Sequence, residues 1–248
     1  MCWSGPASLA VASVGVSGSF WARQKGTCKE RWLTLMYFTG MEFLQAVTYS
    51  VINLCDLPSN QWLTRISFAH IAFQPFFINI FAMSFIPEER KLRVRKYVFA
   101  ACALGALLML YKLYVPNPAA ACDVAEEFIC GSDTCSYKGD WHIAWRLYMS
   151  TFDSWHQAYM IPAFLVPILY GSWRWVVYHA LVGPIPALFM TSNKDEMPAI
   201  WCLMSIGFLI TTHIKFLEHW LETPKRRALP AKIETVPELT PEIEEVAS

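Results

Sequence analysis

Residues 62–96 read WLTRISFAHIAFQPFFINIFAMSFIPEERKLRVRK. From Trp62 to Ile86 the stretch is apolar, with Arg65 its one charge, near the start. An α-helix rises 1.5 Å per residue, so about 20 apolar residues cross ~30 Å of hydrocarbon. This run is long enough to do so. Directly after it come Arg90, Lys91, Arg93, Arg95 and Lys96, a basic cluster of the kind that holds a helix end on the cytoplasmic side of a membrane. Inside the run lie His70, Gln74 and Asn79, polar groups that are costly at membrane depth and therefore candidates for function.

Working outward, six more apolar runs appear, giving spans near 3–22, 32–54, 62–86, 97–115, 147–173, 175–191 and 197–217. The first could instead be a secretory signal, but its basic residues, Arg23, Lys25, Lys29 and Arg31, follow the apolar part rather than precede it. The fifth run is extended back to Leu147, with Pro162 and Pro167 expected to tilt or kink it, and Pro184 and Pro186 are expected to bend the sixth. The predicted fold is thus an all-α, seven-helix membrane bundle spanning residues 1–222. Composition agrees: 55% of the 248 residues are hydrophobic and 16% charged, with mean hydropathy +0.31, against roughly 25% charged in soluble chains.

The formal net charge is zero, which excludes the basic excess of a nucleic-acid binder. That zero is a sum of opposites. The loops holding Arg23 to Arg31 and Arg90 to Lys96, and the tail with Lys225, Arg226, Arg227 and Lys232, fall on one side of a seven-span layout. The other side carries Asp56, Asp123, Glu126, Glu127, Asp133 and Asp140. By the positive-inside rule the N-terminus is outside and the C-terminus cytoplasmic. Cys2, Cys55, Cys122, Cys130 and Cys135 are then external, three of them in the loop 116–141, and one or two disulfides are expected with connectivity left open. The tail 223–248, with its Pro residues and no aromatic, is expected to be disordered.

Within the spans the polar residues form a pattern. Glu42, Gln45 and Tyr49 share one face of the second helix through i, i+3 and i+7 spacing, and His70 and Gln74 share a face through i, i+4. Counting rise per residue puts Glu42 and Gln74 near the midplane, and His70, Asp153 and His156 in the outer half, with Ser205 on the last span. The expected site is an outward-facing polar cavity built on Glu42, His70, Asp153 and His156 as acid, base or ligand groups. Gln45, Tyr49, Gln74, Asn79 and Ser205 line it. His70 and His156 with a carboxylate could hold a bound metal ion; without metal, Glu42 and His70 make an acid/base pair. The alternative is a polar network that glues helices together. His142, flanked by Trp141 and Trp145, reads as part of an outer interfacial belt, and His179, His213 and His219 as interfacial residues near the cytoplasmic ends. Lys215 lies near the inner surface and snorkels rather than holding a retinal.

The opening MCWS (1–4), MEFLQAVTY (41–49), HIAFQPFFIN (70–79), LYGSWR (169–174) and WCLMSIG (201–207) resemble a family of uncharacterised, mostly bacterial multi-span membrane proteins. The likeness covers most of the chain up to the tail. It implies a bacterial inner membrane with the external cysteines in the periplasm, and it implies no activity. The chain departs from two seven-span enzyme groups: His213 and His219 do not match the His-x3-His pair of ceramidase-like hydrolases, and only Glu42 has a counterpart in small membrane terpene cyclases. Function is therefore expected to be binding or chemical transformation of a small lipophilic molecule in the outward cavity. A transporter of a small solute, ion or proton is the alternative, and a structural subunit of a membrane complex the third. The expected partners are the lipid bilayer and a small-molecule ligand, with no nucleic acid.

Overall fold

A computed structural model of the chain describes residues 3–114, 122, 128–150, 155–204 and 207–223, and for residues 155, 156, 212 and 213 the backbone alone. Cys2, Asp153, Ser205 and the tail from residue 224 lie outside the described residues.

Four long helices come first: α1 (Gly5–Gln24), α2 (Lys29–Thr48), α3 (Pro58–Met83) and α4 (Glu88–Tyr114). Each start has a local cause. The Ser4 hydroxyl accepts from the Ala7 N–H ahead of α1, α3 opens on Pro58, and Glu88 and Glu89 complement the N-terminal dipole of α4. Between α1 and α2 the helices approach closely because Gly15 faces Thr39; a Cβ on Gly15 would lie 2.9 Å from the Thr39 methyl. Among the described residues two helices, α3 and α4, are long and apolar enough to cross a membrane. A third counts if Met197–Thr211 and Lys215–Leu221, bent by 102° where they meet, are taken as one span.

The later runs are broken. Helix α5 (Trp155–Met160) passes through a π turn at Ile161–Leu165 into α6 (Val166–Leu169). Pro162 opens that turn and has no N–H for a regular helical bond, so the kink expected there takes the form of a π turn. The sixth run divides at Gly183 into α7 (Trp173–Val182) and α8 (Pro184–Met190), and the seventh into α9 (Met197–Met204), α10 (Phe208–His213) and α11 (Lys215–Leu221). The core lies between α3, α7 and α10, where Trp175 packs on Phe81 and Phe208 with ring centroids 4.7 and 4.8 Å apart.

Three boundaries differ from the expectation. The molecule is not purely helical, because β1 (Cys135–Lys138) and β2 (Ile143–Arg146) pair antiparallel, Cys135 opposite Arg146. The fifth helix does not begin at Leu147. There the backbone is extended, with the Leu147 N–H donating to Ile129 and the Cys122 N–H to Met149, since apolar residues at alternate positions served a buried strand rather than a helix. The second run leaves the α-helix at Thr48 and ends in a 3₁₀ turn, Tyr49–Val51, before Asn53 at φ 65 reverses the chain.

The hairpin organises one end of the molecule. Cys55 is disulfide-bonded to Cys135, and Cys122 to Cys130. Asn60 clamps β1, accepting from the Ser136 N–H at 2.8 Å and donating to the Ser136 carbonyl at 2.9 Å. The Trp3 N–H donates to the Trp141 carbonyl at 2.8 Å. The fully buried Glu196 accepts from the Trp141 N–H at 2.6 Å, from the His142 N–H, and from the Thr191 hydroxyl at 2.7 Å. At the opposite end sit the basic residues. Arg31 pairs with Glu218 and donates to Ser84 at 2.9 Å, Lys91 pairs with Glu30 at 2.6 Å, and Arg174 donates to the Trp220 carbonyl at 3.2 Å.

Candidate functional site

Helical spacing on α2 sets Glu42 and Gln45 on one face, and packing buries that face completely. Glu42 is 3% exposed and Gln45 not at all, yet among the described residues neither carboxylate oxygen and neither amide atom has a hydrogen-bond partner. The Ser8 hydroxyl on α1 interacts with the carboxylate without closing a well-formed bond. Glu42 looks into a small enclosed cavity bounded by Val11, Phe38, Thr39, Cys202 and Leu209, with ≈ 10 Å³ of room for the centre of a water, about enough for one.

On the far side of Cys202 is a larger cavity of ≈ 260 Å³. Its walls are apolar: Ile71 of α3, Met109 of α4, Leu188 of α8, and Met197 and Trp201 of α9. Phe128 and Ile129, from the segment before the hairpin, also line it. Ile129 holds φ 51, uncommon for a β-branched residue, with its carbonyl taken by the Leu147 N–H at 2.9 Å. Met160 and Leu188 are at once wall residues and exposed on the outside of the bundle, so the cavity opens between α5 and α8. Three of its lining residues, Gln74, Tyr159 and Cys202, are bonded to one another and present little polar surface to the space. The Tyr159 hydroxyl donates to Gln74 Oε1 at 2.8 Å, and Gln74 Nε2 donates to Cys202 Sγ at 3.1 Å.

The other expected site residues separate. His70 stacks on Tyr37 with ring centroids 4.0 Å apart, and its Nε2 has no partner. Among the described residues it makes no hydrogen bond to Glu42, and it lines neither of the two cavities above. Asn79 is saturated: it donates to the Pro75 carbonyl at 2.8 Å and the Pro162 carbonyl at 2.7 Å, and accepts from the Tyr170 hydroxyl at 3.0 Å, which makes it a tie between α3, the π turn and the end of α6. Tyr49 leaves the cavity face to meet His142 Nδ1 at 3.1 Å. Asp153 and Ser205 lie outside the described residues, as does the side chain of His156, at the second position of α5. Among the described residues, the one cluster with metal-ligand spacing is Cys55, Asp133 and Cys135, two of which are joined as a disulfide.

Two histidines read as interfacial are instead buried. His142 is enclosed under Trp3, and its Nδ1 accepts from the Ile143 N–H at 2.7 Å. Burial pushes its pKa down to about 3, so the imidazole stays neutral. His179 stacks on Phe164 at 4.9 Å and takes the Trp201 indole N–H at 3.4 Å. His219 is exposed, as an interfacial residue would be. Sequence reasoning missed Tyr159, Trp201 and the methionines of the cavity. A tyrosine or methionine in an apolar run carries no signal of its own, because packing alone decides whether it faces a cavity or lipid.

No curated protein and no solved structure matches the chain. A family model described as a family of unknown function, DUF5765, matches residues 6–222, nearly all of the chain up to the tail. It includes every element that builds the two cavities, and so the chain belongs to the DUF5765 family.

Proposed function

We propose that this protein is a seven-span membrane protein, N-terminus outside and C-terminus cytoplasmic, that binds or chemically transforms a small lipophilic molecule. The molecule reaches the ≈ 260 Å³ cavity sideways from the bilayer. The observation that carries the reading is the cavity's construction: an almost wholly apolar lining, and wall residues Met160 and Leu188 on the exposed apolar flank. Its volume lies between a benzene-sized hole of about 150 Å³ and the lower bound of about 300 Å³ for drug-sized sites, which suits a small molecule. The seven-span layout is supported by the segregation of the disulfides and hairpin to one end and of Arg31, Lys91 and Arg174 to the other. We read the membrane as a bacterial inner membrane, the compartment the sequence resemblance implies, where disulfides on the outer side persist.

The test is extraction of small molecules from purified protein, followed by mass spectrometry, for the wild type and for Leu188→Trp, which fills the mouth. A lipophilic molecule that copurifies with the wild type and is lost from the variant is expected. Identical recovery from both, or none from either, overturns the reading. A relay for protons or small cations is a second reading, favoured by the unpartnered oxygens of Glu42 beside their enclosed cavity. Proteoliposomes loaded with a pH-sensitive dye would then show a proton flux that Glu42→Gln abolishes.

A further inference from the structure

We propose that Glu42 holds an exchangeable proton, shared with a single water in the enclosed cavity beside it, and that this site takes no metal cation. The inference rests on the second reading above, in which Glu42 carries charge, and goes further by naming what it binds.

The site is marked by what its polar atoms lack. Both carboxylate oxygens of Glu42 and both amide atoms of Gln45, one turn further along the same face of α2, are buried with no hydrogen-bond partner among the described residues. Leaving a buried polar group unpaired is costly, and leaving a buried charge uncompensated costs far more. The groups that face Glu42 are Val11 of α1, Leu35, Phe38 and Thr39 of α2, Cys202 of α9 and Leu209 of α10, with the Ser8 hydroxyl against the carboxylate. Cys202 is the one titratable group among them, and none is cationic. A carboxylate here has no countercharge, whereas the neutral acid needs none.

Ligand count separates a proton from a metal. A hard cation stripped of its water takes about six oxygen ligands. The surroundings supply the two carboxylate oxygens, the Thr39 hydroxyl, and a Ser8 hydroxyl that already accepts from Trp3 Nε1 at 2.7 Å; the rest is carbon and the Cys202 sulfur. A softer metal would need more thiolate or imidazole than the one cysteine. A proton needs a single oxygen. The cavity has room for the centre of one water, and a buried water is held by two to four polar partners. The Glu42 O–H donates to it. The water in turn donates to Thr39 Oγ1, which has given its own hydrogen to the Leu35 carbonyl at 2.7 Å and keeps a lone pair, and to the weakly accepting Cys202 sulfur. Gln45, unpartnered and nearer the hairpin end, is the next polar group on that face for an exchanging proton.

Infrared spectroscopy of the full-length, detergent-solubilised protein with its disulfides intact tests this, because a carboxylic acid absorbs at a C=O frequency clear of the carboxylate and amide bands. A band from a buried acid is expected at neutral pH. It should shift when deuterium replaces the exchangeable proton, vanish in Glu42→Gln, and stay unchanged when NaCl, LiCl or KCl replaces choline chloride at equal ionic strength. Absence of the band, or its loss on adding any of the three metal ions, overturns the inference. Should Glu42→Gln not fold, wild-type protein made with glutamate isotope-labelled at the side-chain carboxyl carbon assigns the band to a glutamate, and the salt series still decides. The proteoliposome flux of the second reading is a separate result. A salt-insensitive band without flux keeps the proton site and removes the relay, while a band displaced by Na⁺ removes the proton site and leaves the relay standing for metal cations.

Discussion

At the scale of the residue, burial without partners separates Glu42, Gln45 and His70 from Asn79 and Gln74, although all five stood out equally in the sequence. Asn79 is a saturated tie, and Gln74 is held between the Tyr159 hydroxyl and the Cys202 sulfur. Which side chain finds a partner depends on neighbours far along the chain, and spacing along one helix does not report them. His142 shows the same limit: flanking aromatics suggested an interfacial belt, but Trp3 and Tyr49 come from elsewhere to bury it. Its burial has a pH consequence. The folded imidazole stays neutral down to about pH 3, while in the unfolded chain it takes up a proton below about 6.5. Unfolding therefore gains ground as pH falls through that window, by at most about 1.4 kcal/mol per pH unit. His142→Asn, which cannot titrate, should lose less thermal stability than the wild type between pH 7 and pH 5. Parallel loss in the two proteins would show that His142 does not carry the effect.

At the scale of the element, helix contacts are set by small residues as much as by apolar ones. Gly105 of α4 packs against the backbone of α5, where an added Cβ would fall 3.2 Å from the Pro162 ring and closer still to the Ala158 carbonyl. Backbone cannot swing aside as a flexible side chain can, so Gly105→Val should cost about 1–3 kcal/mol, read as a lowered unfolding midpoint. It should also impair the cavity, because α5 carries Tyr159 and Met160. Gly139 on the hairpin, beside Glu196, faces no helix and offers a comparison site whose substitution should leave the α4–α5 contact unchanged. Of the prolines expected to bend the later runs, Pro162 and Pro184 sit at breaks, Pro167 and Pro186 lie inside α6 and α8, and the bend at Ile214 has no proline. Whether each became a π turn, as at Pro162, or a divided helix, as before Pro184, followed from the helices packed around it.

At the scale of the whole molecule, the two ends differ in chemistry. Disulfides and a buried carboxylate hold the hairpin end, and ion pairs among basic residues hold the other. If the basic end is cytoplasmic, Asp140→Cys should react in intact cells with a membrane-impermeant maleimide, whereas Arg93→Cys should react only after permeabilisation. The reverse pattern would invert the orientation, and labelling of both in intact cells would refute a bundle that separates the two ends.

The helical class, the segregation of charge and the presence of disulfides were legible in the sequence, because each depends on hydrophobicity, charge and residue type along the chain. The partners of individual side chains were not. The hairpin, the extended start at Leu147, the pairing of Cys55 with Cys135, and the cavity between Gln74, Tyr159 and Trp201 all join segments distant in sequence. Such contacts arise only when the helices pack, and it is that packing which decided which polar side chains found partners.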